Sequence, residues 1–224
     1  MNKELFVYDE LNHRGFYKGQ LIPSVTQLVD ILYPISVDIP KARLENAATK
    51  GTNIHNKCFE VNKCFDNPYP YLDNIKRAIL RAKELGGGEI LDYVMFLASY
   101  GLKPYDYEEL VFLLDKDNEP ICYGHFDLVV MATKDIEING ELLFKEGLLY
   151  LIDIKTTSEF DRIKTGLQCS GYKVAYTQCS KNPIEKVYGL HIREGITLKK
   201  LTSREDNTTL LVYQGARKIW GERQ

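Results

Sequence analysis

Asp153 and Lys155 stand two positions apart in LLYLIDIKTT (148–157), a run that is otherwise nearly all apolar. Side chains in a strand alternate between faces, so these two would project from the same side. A carboxylate and an ammonium in such surroundings are expensive to bury unless they are paired or bound to something. Asp127, in GHFDLVV (124–130), lies on the preceding β-rich stretch, where an antiparallel partner would bring it towards Asp153. Two converging carboxylates make a hard-oxygen site suited to Mg²⁺ or Mn²⁺, ions that keep waters and bind phosphate oxygens. A lysine beside that site orients or deprotonates an attacking water and offsets charge growing on a phosphate. Taken alone, a D-x-K tripeptide, which is common, reads first as a structural ion pair at a strand end.

The elements that must position these residues follow from periodicity and turn chemistry. Residues 4–22 alternate apolar and polar around Asn12 to Gly15, which predicts a small hairpin. Ser24 or Thr26 is placed to cap a short helix over Val25 to Leu32, ended by Tyr33-Pro34. Helical spacing continues over 41–63, over about 71–85 up to the glycine triplet at 86–88, and over 89–100. β-rich stretches follow at 109–114, 121–131 and 148–154, separated by turn signals at 116–118 and at Asn139-Gly140. The last of these is nearly all apolar and is expected at the centre of a sheet. Helical periodicity returns over 158–179, with Phe160, Ile163, Leu167 and Val174 on one stripe. Strands at 186–192 and 196–201 and a helix over 204–220 complete an α+β, or mixed α/β, architecture.

Composition bounds the rest. A chain of 224 residues, 44% hydrophobic, with 15 Tyr and 9 Phe, supplies a core for one domain. The expected division is 1–105 for the hairpin and helices, 106–203 for the sheet and its helix, and 204–224 for the last helix. A net charge of -2 gives no global attraction for nucleic acid, so any such binding needs a local basic surface. The segment 41–63 is one candidate: Lys41, Arg43, Lys50, Lys57 and Lys63 face only Glu45 and Glu60, and Lys164 and Lys173 extend it. Five scattered cysteines without a C-x-x-C pair argue against a zinc or iron–sulfur cluster and against a disulfide framework. The polar N-terminus and the lack of any run of ~20 apolar residues lead to the expectation of a soluble protein of a reducing cytoplasm, not a membrane protein.

GHFD, 25 intervening residues and DIK together resemble the signature of the PD-(D/E)xK nuclease superfamily in its RecB-type exonuclease branch, with Phe126 where the family name has Pro. Two flanking motifs resemble the same branch: Gly51-Thr52-x-x-His55 upstream and Gln168-x-x-x-Tyr172 downstream. The resemblance covers about residues 24–176. It implies a restriction-endonuclease-like core, with a mainly antiparallel central sheet flanked by helices. It also implies Mg²⁺-dependent hydrolysis of DNA, Mn²⁺ substituting, in the manner of a phage or prophage recombination or repair exonuclease in a bacterial cytoplasm. Asp127, Asp153, the Ile154 carbonyl and His55 would hold the metal. Lys155 would hold the water, while Gln168 and Tyr172 would position Lys155 or the DNA. Glu109 resembles an additional acidic residue of some members, and reads equally as an exposed strand-end carboxylate. The C-terminal cysteine cluster of the iron–sulfur members is missing. DNA, single- or double-stranded, and a single-strand annealing or recombination protein are the implied partners, and ring-forming relatives raise a homo-oligomer. A structure-specific endonuclease and a non-catalytic DNA-binding module on the same fold are the alternatives.

Overall fold

The computed structural model describes residues 3–34 and 41–223; side chains at 41–48 lie outside the described set. Its centre is a five-stranded mixed sheet of order β12-β11-β10-β7-β4, formed by β4 (Leu102–Tyr107), β7 (Leu128–Ala132), β10 (Leu149–Lys155), β11 (Ile184–Ile192) and β12 (Ile196–Lys200). The β10–β11 pair is parallel and the other pairs are antiparallel. β10 is central, as its composition requires: Tyr150, Leu151, Ile152 and Ile154 are all buried, so both faces of this strand are covered.

Helices cover each face. Ile152, Ile154 and Tyr188 pack with α2 (Lys41–Asn62), α3 (Tyr71–Glu84) and α4 (Glu89–Ser99). Leu151, Val129 and Val187 pack with α1 (Val25–Leu32), α5 (Arg162–Ser180) and α6 (Asp206–Gly221). The architecture is therefore α+β, with six helices among the described residues. A side lobe joins the sheet β1 (Phe6–Asp9), β2 (Arg14–Tyr17), β3 (Gln20–Ile22) to the pair β5 (Leu110–Leu114), β6 (Pro120–His125) around Tyr17, Phe112 and Tyr123. The Asn139-Gly140 turn closes the hairpin of β8 (Ile136–Ile138) and β9 (Glu141–Phe144). No helix among the described residues is long and apolar enough to cross a membrane.

Local chemistry explains most boundaries. Ser24 caps α1 in a capping box, its hydroxyl accepting from the Gln27 amide while the Gln27 side chain accepts from the Ser24 amide. Asp161 caps α5 by accepting from the Ile163 and Lys164 amides. Four expectations need correction. The opening hairpin has a third strand, because Lys18 and Gly19 both take positive φ and close a second tight turn. The stretch 121–131 is two strands in different sheets, broken where the buried Phe126 leaves the ladder to stand edge-on against Tyr176 at 5.3 Å. An unexpected strand, β4, spans the 105/106 boundary; Pro104 and a bulge between Pro104 and Asp106 hid it, both tolerated because β4 is an edge strand. Finally, Phe160 precedes α5 and Ile163 is 61% exposed, so neither belongs to the buried stripe of that helix.

Candidate active site

Asp153 and Lys155 project from β10 towards α5, as alternation requires. Asp153 is buried, 2% exposed, and Lys155 Nζ lies 2.7 Å from its Oδ2. The ammonium is thus the charge partner of this buried oxygen, which has no other polar partner among the described residues. Lys155 also donates to Gln168 Oε1 at 3.2 Å, and Gln168 Nε2 donates to the Tyr172 hydroxyl at 3.1 Å. Gln168 and Tyr172 lie one turn apart on α5 and face the strand together. An ammonium has three N–H donors, so Lys155 retains one beyond these two partners.

Asp127 reaches the same place from the other direction. It sits past the end of β6 and just before β7, where the sheet no longer separates the helix layers. The Ile154 amide donates to its Oδ2 at 2.6 Å, and His55 Nδ1 on α2 lies 3.3 Å from its Oδ1. Asp127 is thus fastened to the peptide unit between Asp153 and Lys155. The N–H and C=O of one strand residue share an edge, so the Ile154 carbonyl turns to the same side as its amide.

Burial and mutual charge set the ionisation. Burial, joined by repulsion from Asp127, pushes the Asp153 carboxyl up to about 6, against the attraction of Lys155. Burial opposes the charge on Lys155, yet Asp153 and Asp127 outweigh it and raise its pKa. For Asp127 burial is again overruled: the His55 bond, the charges of His55 and Lys155 and the Ile154 amide hold it below the ordinary carboxylate value. His55 is raised: burial, the largest single effect, opposes its charge, but the Asp127 bond and the charges of Asp127 and Asp153 together outweigh it.

Two motif glycines have steric reasons. A Cβ at Gly124 would lie 2.6 Å from Tyr172 Cε1, so G-x-x-D makes room for the ring whose hydroxyl orients Gln168. A Cβ at Gly51 would lie 3.0 Å from Thr156 Oγ1, so this glycine lets α2 pass close over the end of β10 and bring in His55.

Within the acidic run 106–109 the structure ties Glu108 to Asp127. Glu108 adopts φ +51, a conformation uncommon for a residue with a side chain, and its amide donates to the Asp127 carbonyl at 3.3 Å. Burial and the charge of Asp127 raise its carboxyl, with His55 and Lys63 pulling the other way. Glu109 is exposed, and no hydrogen bond or ion pair ties it to the site among the described residues. The acidic run at 106–109 was visible in the sequence. Strand parity could not select within it, because the backbone turns at Glu108.

Of the basic residues expected to form a surface on α2, Lys50 and Lys57 are turned away from the site, while the charge of Lys63 reaches Glu108. Lys50 lies 4.0 Å from Glu89, and Lys57 lies beside Gly86 at the α3–α4 turn, both well round the helix from His55. Lys41 and Arg43 lie outside the described side chains. Among the cysteines, Cys58, Cys122 and Cys169 are buried, Cys64 is half-buried and Cys179 exposed, and all are free thiols.

No family model matches this chain, and no curated protein matches it. Among solved structures, "Crystal structure of SSO0001" is similar at a TM-score of 0.33 and 11% identity, over 78% of this chain and 87% of that one. A likeness that slight carries no argument about fold or function.

Among the described residues, no three His, Cys, Asp or Glu side chains cluster as a metal cage. Mg²⁺ does not require one, since it binds through one or two carboxylates and retains several waters. The donors present fit it: the carboxylates of Asp127 and Asp153 and a strand carbonyl, all hard oxygens.

Proposed function

We propose that this chain is a Mg²⁺-dependent nuclease that hydrolyses DNA phosphodiester bonds, working from strand ends. One observation carries the reading: a buried carboxylate oxygen whose polar partner among the described residues is the Lys155 ammonium, with a second carboxylate fastened to the peptide between them. A structural ion pair alone would not call for the converging Asp127. The end-directed activity rests on the sequence resemblance.

In this reading Asp127, Asp153 and the Ile154 carbonyl hold the metal, and His55 holds Asp127. The bound ion would supply Lewis-acid polarisation of the phosphate and a more acidic water. Lys155 directs its remaining N–H at the water or at a phosphoryl oxygen. Gln168, oriented by Tyr172, gives that ammonium a second partner beside Asp153. The water oxygen forms the new P–O bond as the ester P–O bond opposite breaks. One water proton ends on the leaving oxygen, and the other is lost to solvent.

Purified protein incubated with end-labelled linear DNA is expected to release short products with Mg²⁺ and none with EDTA. Covalently closed circular DNA should survive; its cleavage would favour an endonuclease. Asp153→Asn and Lys155→Ala, checked for folding by thermal melting, should each lose at least 10²-fold in rate, the scale of removing one electrostatic group from a reacting centre. Wild-type rates in both variants would end the reading.

A further inference from the structure

Beyond the cleavage site, α5 forms one wall of a cavity of about 310 Å³, with the β12–α6 connection as the other. Arg162, Lys200 and Arg204 line it, and no acidic side chain does. Neither guanidinium has a hydrogen bond or an ion pair among the described residues. Of the acids around it, Glu141 pairs with Lys200, Asp161 caps α5 and Asp206 faces Lys173 at 3.7 Å, while Glu205, next to Arg204, is exposed and makes no side-chain capping bond. Lys164, on the adjacent flank of α5, is held by Asp30 at 2.6 Å. The walls are pinned to each other. The buried Ser170 hydroxyl donates to the Gly166 carbonyl at 2.7 Å and accepts from the Arg204 amide at 3.1 Å, and a Cβ at Gly166 would meet the Thr202 carbonyl at 3.2 Å.

We infer that this cleft holds the backbone phosphates of a nucleic-acid strand, as a second anchoring point away from the cleavage site. The inference rests on the nuclease reading for the identity of the strand, but its physical basis is separate. Two uncompensated guanidiniums across a fixed concave wall are suited to bidentate contacts with phosphate oxygens. The cavity lies near the lower bound of small-ligand pockets, ~300 Å³, which suits one strand rather than a duplex. Gln168 and Tyr172 look from α5 towards β10, while Arg162, Gly166 and Ser170 line the cleft from the same helix. A strand leaving the Asp153–Lys155 site and crossing α5 would meet this cleft. It also supplies the local positive surface that a chain of net charge -2 needs and that Lys50 and Lys57 do not provide beside the site.

The test is fluorescence anisotropy with a labelled single-stranded oligothymidylate, in EDTA to prevent turnover, between ~50 and 200 mM salt. Arg162→Gln/Arg204→Gln is expected to bind at least tenfold more weakly. Its plot of log affinity against log salt should be shallower by about 1.4, about 0.7 for each lost phosphate contact on a single strand. Arg162→Lys/Arg204→Lys should recover the slope, and Lys50→Gln/Lys57→Gln should keep it. Both arginines are exposed, so the variants are expected to melt like the wild type. Unchanged affinity and slope in Arg162→Gln/Arg204→Gln overturns the inference. Cleavage separates the two ideas: a wild type that cleaves, with arginine variants that bind normally, loses this inference alone. A wild type that binds through the arginines and never cleaves keeps the inference and loses the nuclease reading.

Discussion

A single methyl group at position 124 tests how the site is built. Gly124→Ala would place a Cβ 2.6 Å from Tyr172 Cε1 and 3.2 Å from Val25 Cγ2, where carbon atoms sit comfortably at ~3.5–4.0 Å. The Tyr172 ring must therefore retreat by about 1 Å. It is 4% exposed on a helix packed against the sheet, so the movement cannot be absorbed into solvent. Overpacking of this kind costs about 1–3 kcal/mol, or ~2–12 °C in Tm for a domain of this size. The Tyr172 hydroxyl accepts from Gln168 at 3.1 Å, and a shift of ~1 Å carries that contact beyond hydrogen-bond range. Gln168 is then free to rotate, Lys155 loses a tether, and displacement on that scale costs up to ~10²-fold in turnover. Thermal melting and turnover on linear DNA, measured side by side, read both effects. Tyr172→Phe, which removes only the hydroxyl, should lower turnover with the smaller loss of stability. Gly215→Ala, on α6 with no neighbour near its would-be Cβ, should instead gain ~0.4–1 kcal/mol. If Gly124→Ala melts within experimental error of the wild type and turns over normally, Tyr172 does not lie over this glycine and the account of the motif fails.

Three further outcomes are expected. Mg²⁺ at ~100 times its Kd should stabilise the wild type by about 2.7 kcal/mol, ~5–11 °C in Tm, and leave Asp153→Asn almost unmoved; equal shifts in both would remove Asp153 from the metal site. Without metal, the folded chain should hold the Asp153 proton to about pH 6, well after the unfolded chain has released it near the ordinary 3.8. Stability of the wild type relative to Asp153→Asn, followed by denaturant titration, is therefore greatest below that lower value and falls as pH rises through about 6; a flat difference would refute the burial argument. Glu108→Gln should weaken Mg²⁺-dependent turnover or stabilisation, and Glu109→Gln should not; the reverse order would show that the backbone turn at Glu108 has been misassigned.

The legible parts of this protein were those fixed by local chemistry. The Ser24 cap, the central β10 and the shared face of Asp153 and Lys155 follow from neighbours a few residues away. What stayed hidden depends on partners distant in the chain. Phe126 carries strong β character, and only Tyr176, fifty residues on, explains why the strand breaks there and leaves Asp127 free to reach Ile154. Pro104 argues against a strand until β4 is known to be an edge. Phe160 fits the helical stripe by spacing, yet it lies over Gly189, where a Cβ would fall 2.1 Å from its Cζ.

That last contact changes how the motif glycines should be understood. Gly189 is the register partner of Asp153 on β11, Gly51 faces Thr156 just beyond Lys155, and Gly124 faces the ring of Tyr172. Three glycines from β11, α2 and β6 each admit a group that packs against the strand carrying Asp153 and Lys155, or against the helix that holds Lys155. Two carboxylates and an ammonium attract water, and a loosely walled site would let Asp153 ionise into solvent instead of remaining buried against Lys155. These close approaches accompany the burial of Asp153, which is 2% exposed. The spacing between glycine and acid in G-x-x-D is thus a packing requirement as much as a chemical one: Gly124 fixes the far end of the Tyr172–Gln168–Lys155 chain, and Asp127, three residues on, fixes the strand from which that lysine projects.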